Sequence, residues 1–246
     1  MNNFGTIYDQ IIDWANKSES ERDGFTLIQV LRIVYGRALD ASSPTIYARL
    51  CRKMMENISD KVQIDGLRGR DGKPIAGGKL FRRYLLNRVQ ADFECCWVLK
   101  GAGAAASRFQ QSEDTGTAEN DAMGGVEDPF SANYNSPETV EKRVLGLVRL
   151  MGELFKLQMI TERIMHECLR QLIKDGGEPG LESICGLMRT VGQILDSKPM
   201  RPCMDVYFDN MKQLTLDPRI EPRVVRMLKD VIELRKRGWK PDPLLD

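Results

Sequence analysis

The sequence predicts an all-α fold, a HEAT-type solenoid of antiparallel helix hairpins interrupted by one disordered acidic insert. Apolar residues recur at spacings of three and four in nine segments of the 246-residue chain, which is the period of an amphipathic helix. A hydroxyl residue followed by proline, as at Ser43-Pro44 and Ser136-Pro137, marks two helix starts, because proline is tolerated at the first helical position. No stretch shows the alternation expected of a strand. With 42% hydrophobic residues, the chain can bury a large core.

The run from Leu145 to Ile173 is the centre of this pattern. Its first half carries apolar residues on one helical face, and a second apolar period starts after Thr161, a residue that can cap a new helix. The run is therefore predicted to form a tight helical hairpin. Gly146 and Gly152 lie in its first helix, where each glycine costs about 1 kcal/mol relative to alanine, so we expect a neighbouring backbone to approach closely there.

The other segments follow in chain order. The predicted helices cover residues 4–16, 25–39, 43–58, 79–97, 136–157 and 161–174, then a seventh after the break at 175–180, an eighth at 202–214, and a ninth that opens at 221 and ends before the tail GWKPDPLLD. Residues 60–78 are rich in glycine and are predicted to form a loop. Residues 101–135, where Gly, Ala, Ser and acids replace the apolar pattern, are predicted to be disordered.

The helices are expected to pair as hairpins. Pairs joined by short turns at a spacing of roughly 40 residues suggest a HEAT-like right-handed solenoid. The expected pairs are the second helix with the third, fourth with fifth, sixth with seventh, and eighth with ninth, all in one domain over residues 1–246. The first helix is left without a partner. Because its apolar face needs one, this helix packs either on the pair formed by the second and third helices or on a further helix upstream of residue 1, and we expect the latter.

Composition bounds the compartment and the partners. The formal net charge of +1, from 36 basic and 35 acidic residues, gives no overall attraction to nucleic acid or membrane. The six cysteines are scattered, apart from the adjacent Cys95 and Cys96, which is typical of a reduced intracellular protein. No secretory signal pattern opens the chain, and no apolar run approaches the roughly 18 residues that span a bilayer. We expect a soluble protein with no membrane partner, in the cytosol or the nucleus, and of these two compartments we predict the cytoplasm.

Catalytic signatures are absent from the sequence. The only histidine is His166, and Arg170 stands where a zinc hydrolase would need a second histidine. The cysteines show no C-x-x-C spacing, so no zinc site is predicted. Residues 72–80, GKPIAGGKL, differ from a phosphate-binding loop in spacing and have Leu80 in place of a magnesium-binding hydroxyl. We therefore predict no enzyme, with no catalytic residue, metal, cofactor or small-molecule substrate.

Charge is distributed unevenly along the chain. Between residues 49 and 88 there are eleven basic residues against four acidic ones, and a second basic cluster lies between residues 219 and 240. Such clusters can hold phosphates through a salt-sensitive attraction, although each residue could equally belong to a solvated helix face. The predicted RNA-binding residues are Arg49, Arg52, Lys53, Lys79, Arg82, Arg83 and Arg88.

Several blocks of the sequence resemble the middle domain of eukaryotic translation initiation factor 4 gamma, the scaffold of the cap-binding complex. The most specific blocks are LGLVR at residues 145–149, GELFKL at 152–157 and MHEC at 165–168. Similar wording recurs around Tyr47 and Cys51, at LLNR in residues 85–88, at LES in 181–183 with TVG in 190–192, and at residues 230–235 before Trp239. These blocks cover nearly all of the chain outside the acidic insert. The resemblance implies a HEAT solenoid of about five hairpins.

The resemblance also implies partners. Domains of this family bind the DEAD-box RNA helicase initiation factor 4A, hold its two lobes in a half-open arrangement that speeds its ATPase cycle, and contact RNA such as mRNA. Other initiation factors are further candidate partners. Because the helicase is clamped between the first hairpins and the last, the predicted helicase-binding residues are Phe4, for which a core role is equally open, and Arg237 and Trp239 in an exposed loop after the ninth helix.

Two functions of different class stay open. The first is a translation initiation scaffold that binds and stimulates the helicase and contacts RNA. The second is a related HEAT scaffold of mRNA decay or cap-binding complexes that acts only through protein–protein contacts. The GELFKL block favours the first, and salt-dependent RNA binding would separate the two.

Overall fold

The computed structural model describes residues 3–69, 71–106 and 137–240. Over these ranges the chain forms nine α-helices, a short 3₁₀ helix at Lys17–Ser20 and one two-stranded sheet, so the all-α prediction is confirmed. None of the described helices is long and apolar enough to cross a bilayer. The helices are α1 Asn3–Asn16, α2 Phe25–Asp40, α3 Thr45–Asn57, α4 Gly77–Ala106, α5 Pro137–Lys156, α6 Glu162–Asp175, α7 Glu178–Leu195, α8 Arg201–Leu214 and α9 Pro222–Lys236.

Helix boundaries follow the local chemistry of the chain. α3 begins directly after Pro44, α5 begins at Pro137, and α7, α8 and α9 each have a proline in their first two positions. α6 ends at Gly176, whose φ of 62° lies in the left-handed region that glycine adopts without steric cost. The predicted bounds agree with the observed ones to within a few residues, except at the end of α4.

The helices form a continuous core rather than separate bundles. α2, α5, α7 and α9 pack side by side, while α1 lies against α3 and α6 lies against α8. Consecutive helices α6 and α7, and also α8 and α9, pack as the predicted hairpins. One cluster of buried apolar side chains extends from Ile12 in α1 to Val231 in α9. This arrangement buries one face of each helix, as the spacing of three and four requires.

The first helix packs on the pair formed by α2 and α3, which is the alternative to a partner upstream of residue 1. α1 packs on α2 and also contacts α3, and its side chains Ile12 and Ala15 belong to the core. α3 in turn packs on α4, while the predicted contacts of α2 with α3 and of α4 with α5 are present as well. The apolar face of α1 is thus partly covered by α2 and α3, whereas Ile7 and Trp14 of the same helix are 47% and 58% exposed. The upstream helix stays a prediction.

Residues 60–78 were predicted as a loop without strands, and this is wrong. They contain β1 Gln63–Arg68 and β2 Pro74–Ala76, which pair antiparallel with an irregularity in register between the two ends. The strands are six and three residues long, and the burial of side chains along the longer one does not alternate, so no alternating pattern marks them in the sequence. Tertiary contacts hold the hairpin in place. The amide of Asp65 donates to the Arg22 carbonyl at 2.9 Å, and Val62 is fully buried.

The acidic insert begins later than predicted. α4 continues to Ala106, so residues 101–106 are helical and the prediction of disorder is wrong for them. The alanines at 102 and 104–106 explain this, because alanine has the highest helix propensity of all residues. The rest of the predicted insert, residues 107–135, lies outside the described residues.

Gly146 is the point of closest approach between two helices. A Cβ placed on Gly146 in α5 would lie 2.2 Å from the backbone carbonyl oxygen of Leu39 in α2, so only glycine fits. The predicted backbone contact is confirmed at this residue. At Gly152 the neighbours are side chains of α7, with Leu187 nearest at 3.1 Å from the ideal Cβ position. Gly186 in α7 is different, because a Cβ there would meet nothing within 4 Å.

Replacing these glycines should change stability in opposite directions. We expect Gly146→Ala to lower the free energy of unfolding by about 2 kcal/mol or more, because the methyl group forces α2 and α5 apart. Gly186→Ala should raise it by about 0.5–1 kcal/mol, because the alanine is a better helix former in open space. Urea unfolding followed by circular dichroism measures both. Equal effects of the two substitutions would contradict the close contact at Gly146.

Candidate nucleic-acid interface and C-terminal loop

The seven predicted RNA-binding residues lie on α3 and α4, which pack against each other. Their exposure divides them into two groups. Arg49, Lys53, Lys79 and Arg83 are exposed, whereas Arg52, Arg82 and Arg88 are half-buried. The two groups differ in what their charged ends contact, and this difference decides which of them can reach a phosphate.

Arg52 and Arg82 hold the turn that joins α5 to α6. Nη1 of Arg52 donates a hydrogen bond to the carbonyl oxygen of Leu157 at 3.1 Å. Nε and Nη2 of Arg82 both donate to the carbonyl oxygen of Met159, at 3.2 and 3.1 Å. Gln158, between the two, has a φ of 58°, an unusual conformation for a residue other than glycine. The two guanidinium groups therefore stabilise a strained turn through its carbonyl oxygens.

Arg88 belongs to a buried charge cluster that joins α2, α4 and α5. Asp92, only 8% exposed, accepts hydrogen bonds from the Tyr35 hydroxyl and from Nη2 of Arg143, both at 3.0 Å. Nε of Arg88 lies 3.2 Å from the other carboxylate oxygen. Burial, reinforced by the Asp92 charge, raises the pKa of Tyr35 well above its ordinary value, so the phenol stays a hydrogen-bond donor. The cluster satisfies a buried carboxylate, and Arg88 serves the fold.

Arg49, Lys53, Lys79 and Arg83 carry charge that the described part of the protein does not neutralise. None of the four makes an ion pair with a described acidic residue. They form two pairs at a spacing of four, one on α3 and one on α4, so each pair shares a helix face. We call these four residues the basic face. RNA binding by the basic face stays a prediction, and the geometry favours it over binding by the three half-buried arginines.

Trp239 is half-buried and anchored to the protein, although its neighbours Gly238 and Lys240 are exposed. Its indole Nε1 donates to Oδ2 of Asp196 at 3.0 Å, and its ring meets Phe208 edge-on with centroids 5.9 Å apart. The ring also lies against Gly192, where an added Cβ would collide with it. Its φ of 67° turns the chain back after α9. The predicted exposure of this residue is therefore wrong, and its helicase contact stays a prediction.

Arg235 completes the anchor from the last turn of α9. Its Nε and Nη2 donate to the two carboxylate oxygens of Asp196 at 3.0 and 2.9 Å, and Nη2 also reaches Asp205 at 2.7 Å. The guanidinium group lies 4.5 Å from the centroid of the Phe208 ring. Hydrogen bonding from Arg235, with a further bond from Trp239, lowers the pKa of Asp196 below its ordinary value. We call Asp196, Phe208, Arg235 and Trp239 the C-terminal anchor.

The structure gives fewer contacts for the other two predicted helicase-binding residues, Arg237 and Phe4. Arg237 follows α9 directly and is half-buried. Phe4 lies in the first turn of α1, but its side chain is outside what the structure describes. Sequence reasoning did not identify Asp196 and Gly192 as part of this end of the protein. The only signal for them in the sequence was the TVG block at residues 190–192, four residues before Asp196. Their role depends on contacts with Trp239, which is more than 40 positions away in the chain.

Burial shifts the pKa values of the histidine and of two cysteines, the residue types that most often carry chemistry. Among the described residues, no group of three or more His, Cys, Asp or Glu could hold a metal ion. His166 is buried, its Nδ1 lies 3.2 Å from the Tyr207 hydroxyl, and burial lowers its pKa. Burial also raises the pKa of Cys51 to about 12 and that of Cys185 to about 12, which leaves both thiols unreactive at neutral pH.

Comparison with known proteins identifies relatives along almost the whole chain. The family model described as MIF4G domain matches residues 2–238. The chain is 38% identical over 244 residues to eukaryotic translation initiation factor 4 gamma of Schizosaccharomyces pombe, which covers 97% of this chain and 16% of that protein. It is 30% identical over 240 residues to eukaryotic translation initiation factor 4 gamma 1 of Mus musculus, covering 97% and 14%. It is 31% identical over 244 residues to eukaryotic translation initiation factor 4G of Arabidopsis thaliana, covering 97% and 12%. The chain thus spans less than a fifth of the length of these relatives.

The two neighbouring arginines of α4 should differ in their effect on stability. We expect Arg82→Ala to lower the free energy of unfolding by about 1–3 kcal/mol, because the buried Met159 carbonyl loses two charged donors. Arg83→Ala, at an exposed position, should stay within about 0.5 kcal/mol of the original protein. Urea unfolding of both variants measures the difference. An Arg82→Ala protein as stable as the Arg83→Ala protein would show that the turn does not depend on Arg82.

The contribution of the C-terminal anchor should depend on pH. The pKa of Asp196 is lower in the folded than in the unfolded chain, so the unfolded chain takes up the proton first as the pH falls. The stabilisation is therefore complete above about pH 4 and is lost as the pH falls below that value, through the pKa of the folded state.

Asp196→Asn should accordingly be less stable than the original protein at pH 7, and the difference should shrink as the pH is lowered from about 4. Urea unfolding at a series of pH values tests this. Asp205→Asn is the matched control, because Asp205 is 57% exposed and contacts the same arginine. A difference for Asp196→Asn that is constant with pH would contradict the role given to the carboxylate.

Proposed function

The chain belongs to the MIF4G domain family, and from this premise we propose that it is a scaffold of translation initiation that binds the DEAD-box helicase initiation factor 4A and RNA in the cytoplasm. The observation that carries the proposal is the match of 97% of this chain to initiation factor 4 gamma proteins at 30–38% identity. On this proposal the chain is a binding domain rather than an enzyme. Its partners are brought together on one row of packed helices.

The positions of the two predicted helicase contacts support this function. Phe4 belongs to α1, which packs on α2 and α3, whereas Arg237 follows α9, which packs on α7 and α8. The contacts therefore lie at opposite ends of the row of helices. A helicase of two lobes can place one lobe at each end. The scaffold then favours the arrangement of lobes that meets both ends, because a partner shifts an equilibrium only by binding one state better than the other.

The basic face supports the RNA part of the proposal. Its four cations are exposed and have no described acidic partner, so a phosphate would meet their full charge. Each such contact releases counterions and makes binding dependent on salt. The overall charge of +1 does not oppose this, because the attraction is local. The alternative, a scaffold that contacts only proteins, would need an acidic partner surface to meet the charge on α3 and α4.

The proposal predicts stimulation of the helicase. In a steady-state ATPase assay with purified factor 4A and RNA, addition of this chain should increase the rate. Phe4→Ala and Arg237→Glu should each reduce the stimulation several-fold, because each weakens one of the two contact ends. Lys229→Glu is the matched control for charge reversal on α9, since Lys229 is exposed and lies outside the predicted contact.

The outcomes separate the two functions. A folded chain that gives no stimulation would contradict the helicase part of the proposal. Stimulation without any salt-dependent binding of labelled RNA would leave a scaffold that works through protein contacts alone. Equal losses for Arg237→Glu and Lys229→Glu would show that overall charge, rather than the contact at Arg237, matters.

A further inference from the structure

A pocket opens beside α1 and α3, next to the turn that follows α5. Its volume is about 570 Å³, which lies in the range of about 300–1,000 Å³ found for sites of small ligands. It is lined by Tyr8, Ile46, Arg49, Arg52, Lys53 and Leu157.

Two of the lining residues give the pocket a strong positive charge. Arg49 and Lys53 belong to the basic face, one turn apart on α3, and neither pairs with a described acid. Nζ of Lys53 lies 5.6 Å from the centroid of the Tyr8 ring, which places the ammonium group at the pocket wall. A phosphate that entered the pocket would therefore be held between two cations.

Two further lining residues of the pocket are apolar. Ile46 is 44% exposed although it is a large apolar residue, and Leu157 is half-buried beside it. Arg52 cannot serve a ligand in the same way as Arg49, because its guanidinium group is bonded to the Leu157 carbonyl and to Glu56. It instead fixes the position of Leu157. The pocket thus has a preorganised apolar wall next to a pair of cations.

This combination matches the chemistry of a nucleotide. A simple anion needs no apolar wall, and a purely apolar segment of a protein, without acidic side chains, gains nothing from two unneutralised cations. A nucleotide has a phosphate for the cations and a base for the apolar side chains. In a duplex the base is paired and stacked, so only an unpaired nucleotide can offer both groups at once.

We propose that this pocket binds one unpaired nucleotide of an RNA strand, with its phosphate between Arg49 and Lys53 and its base against Ile46 and Leu157. The proposal rests on the RNA part of the proposed function and goes beyond it, because it names the pocket and the form of RNA. The chain then prefers single-stranded RNA to duplex RNA, because only the single strand offers an unpaired base to the pocket.

The experiment compares two labelled RNAs by fluorescence anisotropy, a twelve-nucleotide oligouridine and a blunt duplex of the same length. Ile46→Gln should weaken binding of the single strand about tenfold, as expected for loss of one base contact, and leave duplex binding unchanged. Ile33→Gln is the matched control, because Ile33 is 62% exposed on α2, outside the pocket, and it should change neither affinity. Arg49→Ala should weaken both and reduce the slope of log K against log salt by about 1.

Each other outcome overturns the proposal in a distinct way. If the unaltered chain binds RNA but Ile46→Gln leaves the preference for single strands unchanged, the inference fails and the proposed function stands. If the unaltered chain binds neither RNA at low salt, the RNA part of the proposed function fails with it. If Ile46→Gln weakens binding of factor 4A and not of RNA, the pocket is a protein contact. Thermal melting of each variant establishes that it is folded.

Discussion

The contact between α2 and α5 at Gly146 is the constraint on which the rest of the structure depends. The backbone of α5 lies so close to the Leu39 carbonyl that a single methyl group cannot be placed between them. This fixes α5 against α2, and α5 in turn packs on α3, α4 and α7. The end of α5 is then within reach of arginines from α3 and α4. Their hydrogen bonds to the turn after α5 are a consequence of where that helix lies.

The same residue type has different roles on α3 and α4 because of what lies within reach of each side chain. Arg82 and Arg83 are neighbours in sequence, but they point to different sides of the helix. One meets a carbonyl oxygen of a strained turn, and the other meets solvent. A charged group that is hydrogen-bonded to buried backbone contributes to stability. An exposed cation without an acidic partner contributes little to stability, and its charge is available to an anionic ligand. Arg52, Arg82 and Arg88 have partners within the fold, whereas the four residues of the basic face, two of which line the pocket, have no described acidic partner.

The C-terminal anchor gives the end of the domain a defined shape. Trp239 donates a hydrogen bond to Asp196, its ring contacts Phe208, and the ring packs directly against Gly192, which has no side chain. The segment around Arg237 therefore loses little conformational freedom when a partner binds. Less of the binding free energy is then offset by the entropy cost of ordering this segment. At the other end, Tyr8 of the pocket follows Phe4 by one helical turn. On the proposed function, RNA and the first helicase contact thus lie near each other on the same helix.

The sequence by itself determined the helices, most of their bounds and the family, because amphipathic spacing, proline caps and the GELFKL block are local signals. It also marked Gly146 as a close contact, since an unfavourable glycine within a helix needs a reason. The β-hairpin, the helical start of the insert and the anchored state of Trp239 were decided by the tertiary structure. So was the division of the basic residues into those that bind carbonyl oxygens and those that do not. The physical reason is that burial and hydrogen bonding depend on residues far apart in the chain, as with Arg82 and Met159, 77 positions apart. The local sequence around an arginine is the same whether or not a distant carbonyl oxygen lies within hydrogen-bonding distance of it, so the sequence does not show which arginines have such a partner.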